Sequence, residues 1–138
     1  MATYSSTIIF PTKGNRDIID ITDKIQAAIN ESGALNGVVV AFIPGSTAGL
    51  TTIEYEPGLK KDMNLFLERI LPHGDRYHHH DTWHDDNGAA HLQAAMIGPS
   101  ITIPVVNGKM TLGTWQQVVC IDCDTRPRQR EIVLQIVS

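Results

Sequence analysis

All six histidines of the chain fall between His73 and His91, in PHGDRYHHHDTWHDDNGAAH, where Asp75, Asp81, Asp85 and Asp86 join them. Imidazole and carboxylate bind divalent metals and move protons near neutral pH, so this confinement points to a polar site. The competing reading is a solvated loop after a helix. An internal run broken by Asp and Trp is not an expression tag. The segment matches no established zinc motif, and in extended chain His78, His79 and His80 cannot all face one centre. The spacing from His84 to His91 requires the loop to fold back. The resulting expectation is about one divalent ion per chain, Zn or Mg, on two or three of His79, His84 and His91, with water or a substrate oxygen completing the shell.

Other residues offer weaker chemistry. Trp83 and Trp115 can stack on a flat ligand or pack in a core. Arg126, Arg128 and Arg130 can grip phosphate with their planar forks or line a solvated turn. Cys120 and Cys123 form a C-x-x-C pair, but their flanks favour strand, where positions three apart face opposite sides, so they read as small buried residues. A redox pair would instead open a helix.

The scaffold follows from periodicity. Thr3 to Thr12 and Asp17 to Ile21 read as strands joined in a hairpin. Thr22 caps a helix carrying Ile25, Ala28 and Ile29, and Gly33 stops it. Gly37 opens VVVAFIP, which reads as a central strand buried on both faces. Thr51 to Tyr55 is a further strand. Pro57 to Leu71 is a helix with Pro57 in its first turn and Leu59, Met63, Phe66, Leu67 and Ile70 at helical spacing. Lys60, Lys61, Asn64 and Glu68 then form its solvated face. Ala89 to Met96 is a third helix, with His91 near its start. Ile101 to Val106 and Lys109 to Thr111 flank the hairpin turn Asn107-Gly108. Gln116 to Ile121 and Arg130 to Val137 complete a meander. The expected fold is a single-domain α+β protein over 1–138, with a mixed or antiparallel sheet and about three helices.

Composition narrows the class. The 138 residues carry a formal net charge of -4, with 42% hydrophobic and 19% charged side chains. An acidic balance argues against general nucleic-acid binding. The apolar runs fall far short of the roughly 20 residues needed to span a bilayer. MATYSSTIIF lacks the layout of a signal peptide, so the expected location is the cytoplasm.

The segments STAGLTTIE, RYHHHD, NGAAHL and LGTWQQ, in this order, resemble the YjbQ family, also called UPF0047. The resemblance implies an α+β fold, a homotrimer and a secondary thiamine-phosphate synthase activity, a transfer that joins a pyrimidine methyl diphosphate to a thiazole phosphate. Alternatives are a metal- or anion-binding protein without significant catalysis, or a metal-dependent hydrolase of a small phosphorylated compound. Carried over by position, the resemblance implies catalytic roles for Glu54, Asp62, His79, His91, Trp115 and Gln116. Thr47, Asn87, Ser100 and Thr114 would bind substrate, with Arg128 and Arg130 completing a phosphate clamp. Many members place a histidine where this chain has Gly45, and His84 is a candidate to compensate. The expected pocket lies at or near a subunit boundary and joins the His segment, Glu54 and the GTWQ strand.

Overall fold

The computed structural model describes residues 1–74 and 76–138; the sequence candidate Asp75 lies outside the described residues. The chain runs through β1 (Thr3–Thr12), β2 (Asp17–Asp20), α1 (Thr22–Ser32), β3 (Asn36–Phe42), β4 (Ala48–Ile53) and α2 (Pro57–Ile70). It continues through α3 (His78–Trp83), α4 (Gly88–Ile97), β5 (Ser100–Val106), β6 (Lys109–Met110), β7 (Gln117–Asp122) and β8 (Arg128–Val137). The strands form a five-stranded sheet ordered β1-β8-β3-β5-β6 and a three-stranded sheet ordered β2-β7-β4. Every pairing is antiparallel. The fold is α+β, with four helices among the described residues where about three are expected.

Alternation explains the layering. Along β8, Arg130, Ile132, Leu134 and Ile136 are buried while Gln129, Glu131 and Val133 are exposed. The inward set packs with Val39, Ala41, Ile103 and Val105, with Leu50, Val118 and Cys120 of the second sheet, and with Ile25, Ala28 and Ile29 of α1. The other face of the second sheet contributes Ile18, Ile53, Val119 and Ile121 to a second core with Leu67 of α2 and Ala90 of α4. The middle strand β7 is thus covered on both sides, and Val118 to Asp122 are all buried. Each such aliphatic side chain contributes about 1.5–3 kcal/mol by leaving water.

Two expected pairings give way to long-range ones. β1 and β2 are not a hairpin: β1 pairs with β8 from Thr3↔Val137 to Thr12↔Arg128, and β2 pairs with β7. The turn between them takes Gly14, Asn15 and Arg16 through three successive left-handed conformations, carrying the chain from one sheet to the other. β7 and β8 likewise lie in different sheets, so the C-terminal meander is absent. The Asn107-Gly108 hairpin does form, with φ of 51° and 76° at its two central residues, the positive pair of a type I′ turn. β3 sits inside its sheet, between β8 and β5, but Val38 and Val40 are half-buried and Phe42 is exposed, so one of its faces is open.

The helix boundaries have local causes. Glu56 caps α2 by accepting from Gly58 N at 3.0 Å and Leu59 N at 2.5 Å, while Pro57 occupies the first turn. Thr22 does not cap α1; its hydroxyl donates to Asp20 Oδ1 at 2.7 Å and accepts from Val118 N at 2.9 Å, tying the helix start to β7. Gly33 ends α1 in the left-handed conformation, as expected. Among the described residues no helix is long and apolar enough to cross a membrane.

Cys120 and Cys123 are both free and buried. Burial first, and then the neighbouring Asp122 charge, push each thiol up to about 12. A thiol-directed reagent at pH 8 is therefore expected to label neither residue in the native protein and both after denaturation, as counted by intact mass. Rapid labelling of native protein would contradict this placement.

Candidate functional site

The histidine run, expected as loop, contains a short helix. Isolated, the six residues of α3 would not hold a helix. Packing supplies what propensity lacks: α3 lies against the start of α4, where a Cβ on Gly88 would come within 2.7 Å of Tyr77 Cβ and 3.3 Å of His79 Cβ. Gly88 is buried, and its missing side chain is what lets the two helices approach. On α3 itself Asp81 accepts from His78 Nδ1 at 3.2 Å and pairs with Arg76. His84 ends the helix in the left-handed conformation with φ 56°.

Helical twist then sends the three adjacent histidines in different directions. His79 turns toward α4 and its ring centroid lies 4.5 Å from that of His91. His78 is fully exposed. His80 meets His84 edge-on at 5.4 Å, a contact made possible by their spacing of four residues on one helical face. Asp85 Oδ1 lies 3.1 Å from His79 Nδ1, and Asp86 Oδ1 lies 3.0 Å from His80 Nδ1. The network orients the Asn87 amide with its nitrogen toward Asp85, donating at 2.9 Å to Oδ1. His79 and His91 line a depression of about 370 Å³ with Arg76, Tyr77, Gly88 and Leu92. His91 also lines a smaller one of about 240 Å³ with Gly45, Ser46, Ala48, Ala94 and Pro99.

The expected metal trio is not assembled. Among the described residues no three His, Cys, Asp or Glu side chains come together as ligands. His84 is drawn to His80 rather than to the His79–His91 pair, so it neither completes that site nor replaces a side chain at Gly45. Gly45 itself has φ 145°, a conformation L side chains rarely adopt, and a Cβ there would lie 3.3 Å from Arg130 Nη1.

Arg130, Arg128 and Thr47 belong to a buried network instead of an open clamp. Arg130 donates from Nε and Nη2 to the two Asp122 oxygens at 2.7 and 2.8 Å, and from Nη2 to Thr47 Oγ1 at 2.8 Å. Thr12 Oγ1 donates to Asp122 Oδ2 at 2.5 Å. Thr47 Oγ1 donates to Asp124 Oδ2 at 3.0 Å, which also accepts from Arg128 Nε at 2.9 Å. Burial raises the Asp124 carboxyl, but the Thr125 amide, Arg128 and Thr47 together outweigh it and hold the group below its usual range. Arg130 is 9% exposed and Asp122 fully buried, so the pair is first of all a structural one.

The remaining candidates divide into two groups along β4. Near its Ala48 end lie Thr47, His91 and Pro99-Ser100, with Asn87 and His79 beyond. At its Ile53 end lie Glu54 and the GTWQ segment, where Gln116 Nε2 donates to Thr52 Oγ1 at 3.0 Å and its Oε1 accepts from Gly113 N at 3.0 Å. Trp115 is 73% exposed, and Thr114 and Gln116 are exposed beside it. Asp62 is exposed on α2, and among the described residues it lines neither histidine depression and has no hydrogen bond to the GTWQ segment.

Taken together, these features define a protein of two facing antiparallel sheets, with a short histidine helix docked on the helical layer. The fold is that of a YbjQ-like protein of unknown function from Sulfolobus solfataricus, matched with a TM-score of 0.92 at 30% identity over 98% of this chain and 96% of that one. A YjbQ/UPF0047 protein from Clostridium acetobutylicum matches with a TM-score of 0.85 at 33% identity, over 99% of this chain and 100% of that chain. The chain belongs to the UPF0047 family: the model described as UPF0047 protein YjbQ-like matches residues 6–138. A UPF0047 protein of Archaeoglobus fulgidus is 36% identical over 86% of this chain and 90% of its own, and Bacillus subtilis YugU is 32% identical over 96% and 98%.

Proposed function

We propose that the chain acts on a small phosphorylated heterocycle, as a thiamine-phosphate synthase-like transferase. The observation that carries this reading is the His79–His91 pair, 4.5 Å between ring centroids, at the wall of a depression large enough for a small molecule. In the transfer, the thiazole ring nitrogen forms a bond to the pyrimidine methylene carbon as the carbon–oxygen bond to diphosphate breaks. Diphosphate departs with the electron pair, and imidazole N–H groups and Arg76 can meet the charge it gains. The product carries a positive ring, which an indole face such as that of Trp115 stabilises. Among the described residues His79 and His91 are not joined by a third His, Cys, Asp or Glu ligand, and the charge handling is assigned to side chains alone.

The same reading requires a second copy of the chain. Residues Ala48 to Ile53 of β4 separate the two groups of candidates by about 16 Å at the usual rise per strand residue. A cyclic homotrimer can bring the Trp115–Gln116 edge of one protomer to the His79–His91 depression of the next, because a heterologous interface joins two different patches. The open face of the five-stranded sheet supports association: Thr7, Val133 and Phe42 lie side by side on it, as do Ser5, Gln135 and Val40, and neither row carries a charge.

The test is formation of thiamine phosphate from the pyrimidine diphosphate and the thiazole phosphate, followed chromatographically. His79→Ala and His91→Ala are each expected to reduce the rate about 100-fold or more, the usual worth of a proton-handling side chain. Their melting temperatures should stay within a few degrees of the parent's, since both residues are partly exposed polar groups. Wild-type rates in both variants would reject the reading.

A further inference from the structure

We infer that the groove between the β1–β2 turn and α2 is an anion site for a phosphate group, separate from the histidine depression. It is the larger of the two, about 630 Å³, and lies on the β2 edge of the three-stranded sheet, whereas the histidines lie beside β4. Lys13, Arg16 and Lys60 line it together with Asp17, Tyr55 and Asn64, and Pro11, Ile18 and Ile19 supply an apolar wall. In a chain of net charge -4 this is a local reversal of sign. Three cations against the single carboxylate of Asp17 leave the lining net positive, and a net positive cleft focuses the field and concentrates anions.

The cations are held in place. Asn15 and Arg16 both adopt left-handed backbone, with φ of 52° and 65°, although neither is glycine. Their amides are pinned to Asp124 O and Asp122 O at 2.6 Å each. Strained residues persist where the surrounding structure over-determines them, and they cluster at ligand sites. The strain here aims Arg16 across the groove at α2: Nε donates to Asn64 Oδ1 at 3.1 Å, and Nη1 lies 2.8 Å from Glu68 Oε2 and 2.9 Å from His73 Nδ1. Lys60 and Asn64, from the face of α2 that its sequence marks as solvated, therefore form the far wall of this groove. Among the described residues Nη2 of Arg16 has no protein partner. On the opposite side the Lys60 ammonium sits 4.2 Å above the Tyr55 ring, and that ring is fixed by its hydroxyl donating to Ile18 O at 2.9 Å.

The acids near the groove already have partners. Asp17 Oδ2 already accepts from the Lys13 amide at 2.9 Å, and Glu68 is engaged on the far edge of Arg16. Lys13 and Lys60 carry no ion pair with a carboxylate among the described residues. Two ammonium groups and one guanidinium edge suit the oxygens of a dianionic phosphate, with the apolar wall receiving the group it is attached to. This inference does not depend on the transferase reading.

Inorganic phosphate is the probe, titrated into the full chain while backbone amide shifts are recorded. The expected result is saturable binding with shifts at residues 13–19 and 55–64. Lys13→Ala combined with Lys60→Ala should weaken it at least tenfold, and Lys60→Gln alone by a smaller factor. His79→Ala should leave the affinity read from the shifts at residues 13–19 and 55–64 unchanged, which separates this site from the histidine depression. Lys13 is exposed and Lys60 half-buried, neither within a core, so a native-like spectrum in the variants is expected and is checked first. Absence of saturation at millimolar phosphate, wild-type affinity in the double variant, or loss of the shifts at residues 13–19 and 55–64 in His79→Ala would each overturn the assignment.

Discussion

Arg130→Ala is expected to lower the melting temperature by roughly 10–20 °C, because breaking a buried ion pair from one side costs about 3–5 kcal/mol and a chain of this size shifts by a few degrees per kcal/mol. The loss would come from what is left behind. Without the guanidinium, the Asp122 carboxylate remains fully buried with Thr12 and the Asp124 amide as its donors, and Thr47 Oγ1 loses the partner that holds it 2.8 Å away. The network also joins the two sheets, since Thr12 and Arg130 belong to the five-stranded sheet and Asp122 to the three-stranded one. Replacing both charges, as Arg130→Met with Asp122→Leu, should recover much of the stability, because two apolar side chains leave no unpaired charge. Thermal unfolding followed by circular dichroism decides the matter. A drop of less than about 3 °C for Arg130→Ala would mean that water reaches and solvates Asp122.

The network also shows where the sequence was legible and where it was not. Alternation along IVLQIV and the spacing of Leu59, Met63 and Leu67 reveal β8 and α2 because each pattern is local. The Asn107-Gly108 turn is equally local, and it forms as read. Partner choice is not local. Thr3 pairs with Val137 across nearly the whole chain, and no feature of residues 3–21 distinguishes that pairing from a hairpin with β2. Arg130 was visible as a cation in RPRQR, but its inward direction depends on β8 beginning at Arg128 and on Asp122 waiting on the facing sheet. The histidine segment stands out by composition alone. Its helical form was hidden because His, Asp and Thr are poor helix formers, and because the contact with Gly88 that stabilises it is tertiary.

Mixing two inactive variants should restore activity if the pocket is shared between copies of the chain. His91→Ala removes the histidine side of the proposed site, and Trp115→Ala removes the exposed indole that lies at the far end of β4. In a cyclic trimer with one heterologous pocket per interface, random mixing of equal amounts leaves about a quarter of the pockets with both residues intact. Each variant alone is expected to retain only about 1% of the parent rate, on the scale of a lost proton-handling or charge-stabilising group, and the unfolded and refolded mixture to recover roughly 25%. Neither substitution touches a core: Trp115 is 73% exposed and His91 is only partly buried, so both proteins should refold. Sedimentation of the parent should show one species near three times the chain mass. If the mixture stays at the level of the separate variants while the trimer forms, each pocket belongs to a single protomer. The 16 Å along β4 would then have to be bridged by the substrate itself.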